Sequence, residues 1–70
     1  MKHYSLNKYV WNKLNRTWDC YFKGLCNGNS PEHVLTRFAA PSDEMHIDGF
    51  DMPVWVDKKT GHVYEVIAEA

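Results

Sequence analysis

Cysteine is scarce in this sequence, and long apolar runs are missing from it. Cys20 and Cys26 are the two cysteines among 70 residues, fewer than a small secreted domain usually carries, so we expect free thiols in a reducing compartment. No apolar run exceeds three residues, as at Phe38–Ala40, so we expect neither a transmembrane helix nor the core of a signal peptide. These shortages predict a cytoplasmic protein with no membrane partner.

The motifs of metal sites, phosphate loops and nucleophilic catalysis are also missing. The four histidines and two cysteines include no pair at the short spacing that preorganises two zinc ligands. The acidic stretch 43–51 is no EF-hand, because the position that needs a bidentate glutamate holds Trp55. Neither a glycine-rich phosphate loop nor a nucleophile elbow occurs. We therefore expect no enzyme, no metal site and no cofactor.

Charge is divided unevenly along the chain. Residues 1–37 carry six bases against two acids, and residues 38–70 carry two bases against seven acids, although the formal net charge is only −1. Such a split suits either two halves that attract each other in one fold or a charged face for a partner. The sequence pI of 6.4 lies below ~9, which nucleic-acid-binding domains usually exceed.

The first structured segment, about residues 6–25, is rich in tyrosine, tryptophan, valine and phenylalanine, which favours strands. Asn15-Arg16 predicts a hairpin turn there, because asparagine tolerates positive φ. With that turn, five side chains share one face, which we expect to be buried: Tyr9, Trp11, Trp18, Cys20 and Phe22.

A short helix is predicted next, over about residues 31–40. Ser30 is a suitable N-cap, Pro31 suits the first helical position, and Glu32 lies where the helix dipole favours an acid. Pro41 would end the helix. A helix this short must pack on a sheet to be stable.

A second hairpin is predicted at residues 54–67, after an acidic loop at 41–53. A turn over Lys58–Gly61 would pair Trp55 with Tyr64. The order ββαββ predicts one α+β domain over residues 1–70, with a four-stranded antiparallel sheet and one short helix packed on one face.

A protein-interaction module is the function that this composition favours. One short helix cannot cover both faces of such a sheet, and Trp and Tyr are typical of interface hot spots. We expect an acidic rim and aromatic anchors to bind a protein partner, through Asp48, Phe50, Asp51, Trp55 and Tyr64. The same hairpin is expected to make the chain a homodimer, because two-fold pairing often closes such a patch. The alternative is that both faces of the hairpin are covered within the chain, by the helix on one side and by the 43–53 loop folding back on the other.

A small nucleic-acid-binding regulator is the alternative. The first hairpin interleaves bases with aromatic residues, the mixture with which single-strand binders contact phosphates and stack bases. The residues that would serve are Lys8, Lys13, Arg16, Tyr21 and Lys23.

Two resemblances accompany these hypotheses. The segment 57–64 is similar to the first strand pair of WW domains, but the later strand and second tryptophan of that family are absent. In its small size and lack of recognisable chemistry, the chain resembles small host-modifying proteins of phages and mobile elements. That resemblance implies an inhibitor that binds and blocks a host or defence protein.

Overall fold

A computed structural model describes residues 2–40 and 44–69 of the chain. The elements are strands β1 (Lys2–Asn12) and β2 (Thr17–Gly28), helix α1 (Pro31–Leu35), and strands β3 (Trp55–Val56) and β4 (Val63–Ala68). The four strands form one antiparallel sheet in the order β2-β1-β4-β3. The predicted α+β fold with one short helix is therefore confirmed.

The first hairpin has a longer loop and a different register from those predicted. Asn12 pairs with Thr17, so the loop is Lys13–Arg16 and not a tight turn at Asn15-Arg16. The Asn12 carboxamide oxygen accepts hydrogen bonds from the N–H groups of Leu14 (3.0 Å) and Asn15 (3.1 Å). Arg16, not Asn15, takes the left-handed conformation, at φ 54°. The side chain of Asn12 thus organises the loop in place of a two-residue turn.

A β-bulge in β2 rearranges the faces of this hairpin. Tyr9 pairs with Cys20, but Lys8 pairs with Phe22, so Tyr21 has no Cα partner on β1. Because cross-strand partners point to the same side of a sheet, Phe22 shares the face of Lys8, opposite to Cys20. The prediction that Phe22 shares a face with Cys20 was therefore wrong, since alternation does not hold across a bulge.

Helix α1 starts as predicted and ends earlier. The Ser30 hydroxyl accepts a hydrogen bond from the His33 N–H (3.1 Å), and Pro31 occupies the first turn. The helix ends at Leu35 rather than near residue 40, and a turn over residues 36–38 follows. Thr36 donates its hydroxyl hydrogen to the His33 carbonyl (2.7 Å), a local bond that competes with helix continuation. No helix within residues 2–40 and 44–69 has the length and apolar character needed to cross a bilayer.

The helix-bearing face of the sheet carries a buried cluster, and Val63 on the opposite face is buried as well. Leu6, Leu35, Trp55 and Tyr64 form this cluster, against which Cys26, Ala39 and Val66 pack. Gly28 lets the helix approach the end of β2, because a Cβ there would lie 2.7 Å from a Val34 methyl carbon. The face expected to be buried, with Tyr9 and Trp11, is therefore the opposite one.

The second hairpin has the predicted register. Trp55 pairs with Tyr64 and Val56 with Val63, and Gly61 closes the turn at φ 77°. The strand β3 contains two residues only. In this register Pro53 would lie opposite Val66, and proline has no N–H with which to extend the ladder.

Asp57 stabilises the turn between β3 and β4, and this turn is hydrogen-bonded to the chain segment that follows α1. Its carboxylate accepts hydrogen bonds from the Lys59 N–H (2.9 Å) and the Thr60 hydroxyl (3.0 Å). Next to it, the Lys58 N–H donates to the Ala40 carbonyl (3.0 Å). The hydrogen bond from Lys59, assisted by those from Thr60 and the Ala40 backbone, lowers the pKa of Asp57 below its ordinary value, against the opposing effect of burial.

Substitution of Leu35 tests the placement of the core. Leu35→Ala should lower the free energy of unfolding by about 2–5 kcal/mol, because the side chain is fully buried and leaves a cavity. Leu25→Ala is the matched control, since Leu25 is 80% exposed, and should change it by less than about 0.5 kcal/mol. Urea denaturation measures both, and equal effects would contradict the assignment.

The pH dependence of stability tests the role of Asp57. A pKa that is lower in the folded state than in the unfolded state gives stability above the unfolded pKa, and that stability is lost as the pH falls. The stability difference between wild type and Asp57→Asn should therefore be largest near neutral pH and shrink as the pH falls below the ordinary aspartate value of 3.8. Urea denaturation across this range gives the difference, and a constant value would refute the role.

Candidate interaction surface

The aromatic pair predicted to contact a partner lies in the core. Trp55 is 3% exposed and Tyr64 is 4% exposed, and both pack with Leu6 and Leu35. The expectation that both side chains are exposed for a partner or dimer contact was therefore wrong. Its physical reason is the strand order, because β4 lies between β1 and β3 and its helix-side residues come under α1. The sequence shows two hairpins but not which strand becomes internal.

Phe50 covers part of the opposite face instead of standing free. Its ring packs edge-on against Tyr9 at a centroid distance of 5.0 Å and lies tilted against Trp18 at 5.8 Å. Trp11 extends this cluster by an edge contact with Trp18 at 5.2 Å. Burial, with the nearby charge of Glu65, raises the pKa of the Tyr9 phenol. Phe50 therefore packs within the chain and is half-buried, rather than standing fully exposed as the prediction assumed.

The acidic residues of the same loop are placed differently from Phe50. Asp48 and Asp51 are both exposed. Asp48 lines a shallow cleft beside Arg16 and Trp18. The acidic rim thus remains at the surface without the aromatic anchors that were expected beside it.

A groove that sequence reasoning missed lies on the helix-bearing face. We call it the aromatic groove; its lining residues are Leu6, Lys8, Tyr21, Phe22, Phe38 and Tyr64. Three of its rings face solvent, because Tyr21 is 74% exposed, Phe38 51% and Phe22 49%. Its volume is about 260 Å³, slightly below the ~300–1,000 Å³ of typical small-molecule pockets. It therefore has room for one or two side chains of a partner.

The bulge in β2 builds one wall of the aromatic groove. It brings two consecutive residues, Tyr21 and Phe22, to the groove beside Lys8, whereas a regular strand would point them to opposite faces. Gly24 makes room for the Phe22 ring, since a Cβ there would lie 2.9 Å from Cζ of that ring. In the sequence, the one sign of this bulge is the adjacent Tyr21-Phe22 pair, which interrupts the alternation of apolar and polar residues expected along a regular strand.

Phe38 supplies the other wall. It sits in the turn after α1, where its N–H donates to the Leu35 carbonyl (2.9 Å). Because Leu35 is anchored in the core, the backbone that carries Phe38 is held in place. The aromatic groove is thus supported by the sheet on one side and by the helical turn on the other.

Lys8 is the charged side chain of the groove, and it has no acidic partner in the described part of the chain. It is half-buried, and its Nζ lies 5.3 Å from the Tyr21 ring centroid and 5.9 Å from that of Tyr64. These distances are within the range of cation–π attraction. The two rings thus offset part of the lost hydration without neutralising the charge.

The residues predicted to bind nucleic acid are not gathered into one surface. Lys8 and Tyr21 meet in the aromatic groove, but Lys23 pairs with Asn7 and so projects from the opposite face. Lys13 and Arg16 lie in the loop at the tip of the hairpin. One phosphate-binding track would need these cations on the same side.

The cysteines and histidines form no reactive cluster in the described ranges. Cys20 is exposed, contrary to its predicted place in the core, because its face of the sheet is the one opposite the helix. Cys26 is half-buried. Among residues 2–40 and 44–69, no group of three His, Cys, Asp or Glu side chains is placed to hold a metal ion.

Comparisons of the chain with protein-family models, with curated proteins and with solved structures found no match. The inference of function therefore depends on the aromatic groove and its surroundings.

Proposed function

We propose that this protein is a small protein-interaction module that binds its partner through the aromatic groove. The observation that carries the proposal is the convergence of three solvent-facing rings, Tyr21, Phe22 and Phe38, around one half-buried cation. Aromatic side chains in a concave setting are typical of interface hot spots. Burying ~100 Å² of such surface contributes ~2.5 kcal/mol to binding before entropic costs.

The shape and position of the groove favour a protein over a small molecule. It is open on the surface and small, and it borders the edge strand β2. A loop or extended segment of a partner can place one or two side chains between Phe22 and Phe38. A small inhibitor that occupies its target would use a docking surface of this kind.

A cytoplasmic location accompanies this proposal. Cys20 and Cys26 are both free, and Cys20 is exposed. An exposed thiol persists most readily in a reducing compartment.

Site-specific photocrosslinking tests the proposed surface. A photoreactive phenylalanine analogue at Tyr21 should capture a discrete partner from a lysate of the native host. The same analogue at Leu25, also on β2 but on the opposite face and 80% exposed, should not. Phe38→Ser should reduce capture at position 21 by about 30-fold, the equivalent of a ~2 kcal/mol hot spot, without changing the melting temperature by more than a few degrees.

Two results would contradict the proposal. One is equal capture from positions 21 and 25, and the other is capture at position 21 that persists in the Phe38→Ser variant. A product of twice the chain mass, lost on Phe38→Ser, would identify a second copy of the chain as the partner.

Nucleic-acid binding is the second candidate, favoured by one observation. The Lys8 ammonium lies 5.3 Å from the centroid of the exposed Tyr21 ring, a pairing that suits one stacked base beside its phosphate. The dispersal of Lys13, Arg16 and Lys23 around the hairpin argues for the protein partner instead.

Electrophoretic mobility shift separates the two candidates. We expect no shift of single-stranded or duplex oligonucleotides at low salt and about 50 µM protein, a concentration at which even non-specific nucleic-acid binders usually bind. A shift that Tyr21→Ser abolishes, and that weakens steeply with added salt, would replace the protein-interaction proposal with the nucleic-acid one.

A further inference from the structure

We infer that the aromatic groove selects an acidic side chain, Asp or Glu, that is adjacent to an apolar side chain in an extended segment of the partner. This inference rests on the proposed function, because it names the chemistry of the partner at the same groove. It follows from Lys8, the charged side chain among the six that line the groove.

Lys8 lacks a counter-charge while already losing contact with water. It is half-buried between the rings of Tyr21 and Tyr64, and no carboxylate of residues 2–40 and 44–69 pairs with it. A partner that closes the groove would remove more of its hydration. Burying an ammonium without an ion partner is costly, whereas burying it against a carboxylate with good geometry is tolerated.

Closure of the groove therefore discriminates between partners by charge. A purely apolar segment would leave Lys8 buried and unpaired, and a basic segment would add repulsion. An acidic side chain supplies the missing charge, while its apolar neighbour packs on Phe22 and Phe38. The rings thus provide contact area, and Lys8 provides specificity.

The surroundings of the groove support the same sign of partner. Phe38, which lines the groove, follows a second cation in the chain. Arg37, next to Phe38, is exposed. Two cations, Lys8 and Arg37, raise the encounter rate with an acidic segment and lower it with a basic one.

A side-chain carboxylate fits better than a terminal carboxylate or a phosphate. Terminal carboxylates are usually held by free backbone N–H groups, but the floor of the groove is β1, which pairs at Lys8 with both Phe22 and Tyr64. Phosphate groups are usually held by several cations or by a bidentate arginine. A single lysine between rings suits one carboxylate.

Selection from random peptides displayed on phage tests the inference while the natural partner is still unidentified. Peptides are selected on the wild-type protein after depletion on the Phe38→Ser variant, so that the recovered peptides depend on the groove. We expect them to share Asp or Glu beside an aromatic or aliphatic residue. Recovered peptides without such an acid would overturn the inference, and failure to recover any Phe38-dependent peptide would overturn the proposed function as well.

The recovered peptide is then synthesised with capped ends, with its acid intact or replaced by the matching amide. On the wild-type protein, the replacement should weaken binding about tenfold or more. On Lys8→Met, which keeps the length and apolar stem without the charge, acid and amide should bind within about twofold of each other. Lys8→Arg should retain the preference for the acid, which separates charge from packing.

Two further readouts complete the test. The preference for the acid should shrink as salt is raised, because ionic strength screens a partly exposed pair. Equal binding of acid and amide by the wild type would refute the role of Lys8 while leaving the groove as a docking site. Binding of an uncapped peptide but not of its capped version would instead show that the charge comes from the end of the partner chain.

Discussion

The contact of Leu35 with Leu6, Trp55 and Tyr64 decides which face of the sheet the helix covers, and the rest of the structure depends on it. Gly28 allows the helix to come close enough for this contact. Once α1 occupies that face, Trp55 and Tyr64 are removed from the surface. The opposite face is then covered in part by a loop, through the packing of Phe50 on Tyr9. The packing of α1 that stabilises the fold therefore also determines which side chains remain at the surface.

The β-bulge at Tyr21 has a comparable importance for the proposed function. Without it, Tyr21 and Phe22 would point to opposite faces, and the groove would lose one of its walls. A helix that ends at Leu35 matters equally, because the following turn then carries Phe38 to the other side of the groove. Two local departures from regular secondary structure therefore create the surface on which the proposed function depends.

The electrostatics of the groove follow from this packing. Lys8 projects from the central part of the sheet, where its stem is covered by neighbouring rings and its ammonium remains without an acidic partner in the described part of the chain. Asp57, in contrast, satisfies its carboxylate with hydrogen bonds inside its own turn. The charge of Asp57 stabilises a turn, whereas the charge of Lys8 serves the proposed recognition of a partner.

Local signals in the sequence determined the elements of this protein. Ser30-Pro31 started the helix, and Gly61 closed the second hairpin in the predicted register, because caps and turns depend on residues close in the chain. Tertiary structure alone decided that Trp55 is buried, that Phe50 packs on Tyr9 and that Tyr21 meets Phe38 across a groove. These outcomes depend on strand order, on a bulge and on the face that the helix covers. Each of them arises from contacts between residues far apart in the chain, which alternation and propensity do not encode.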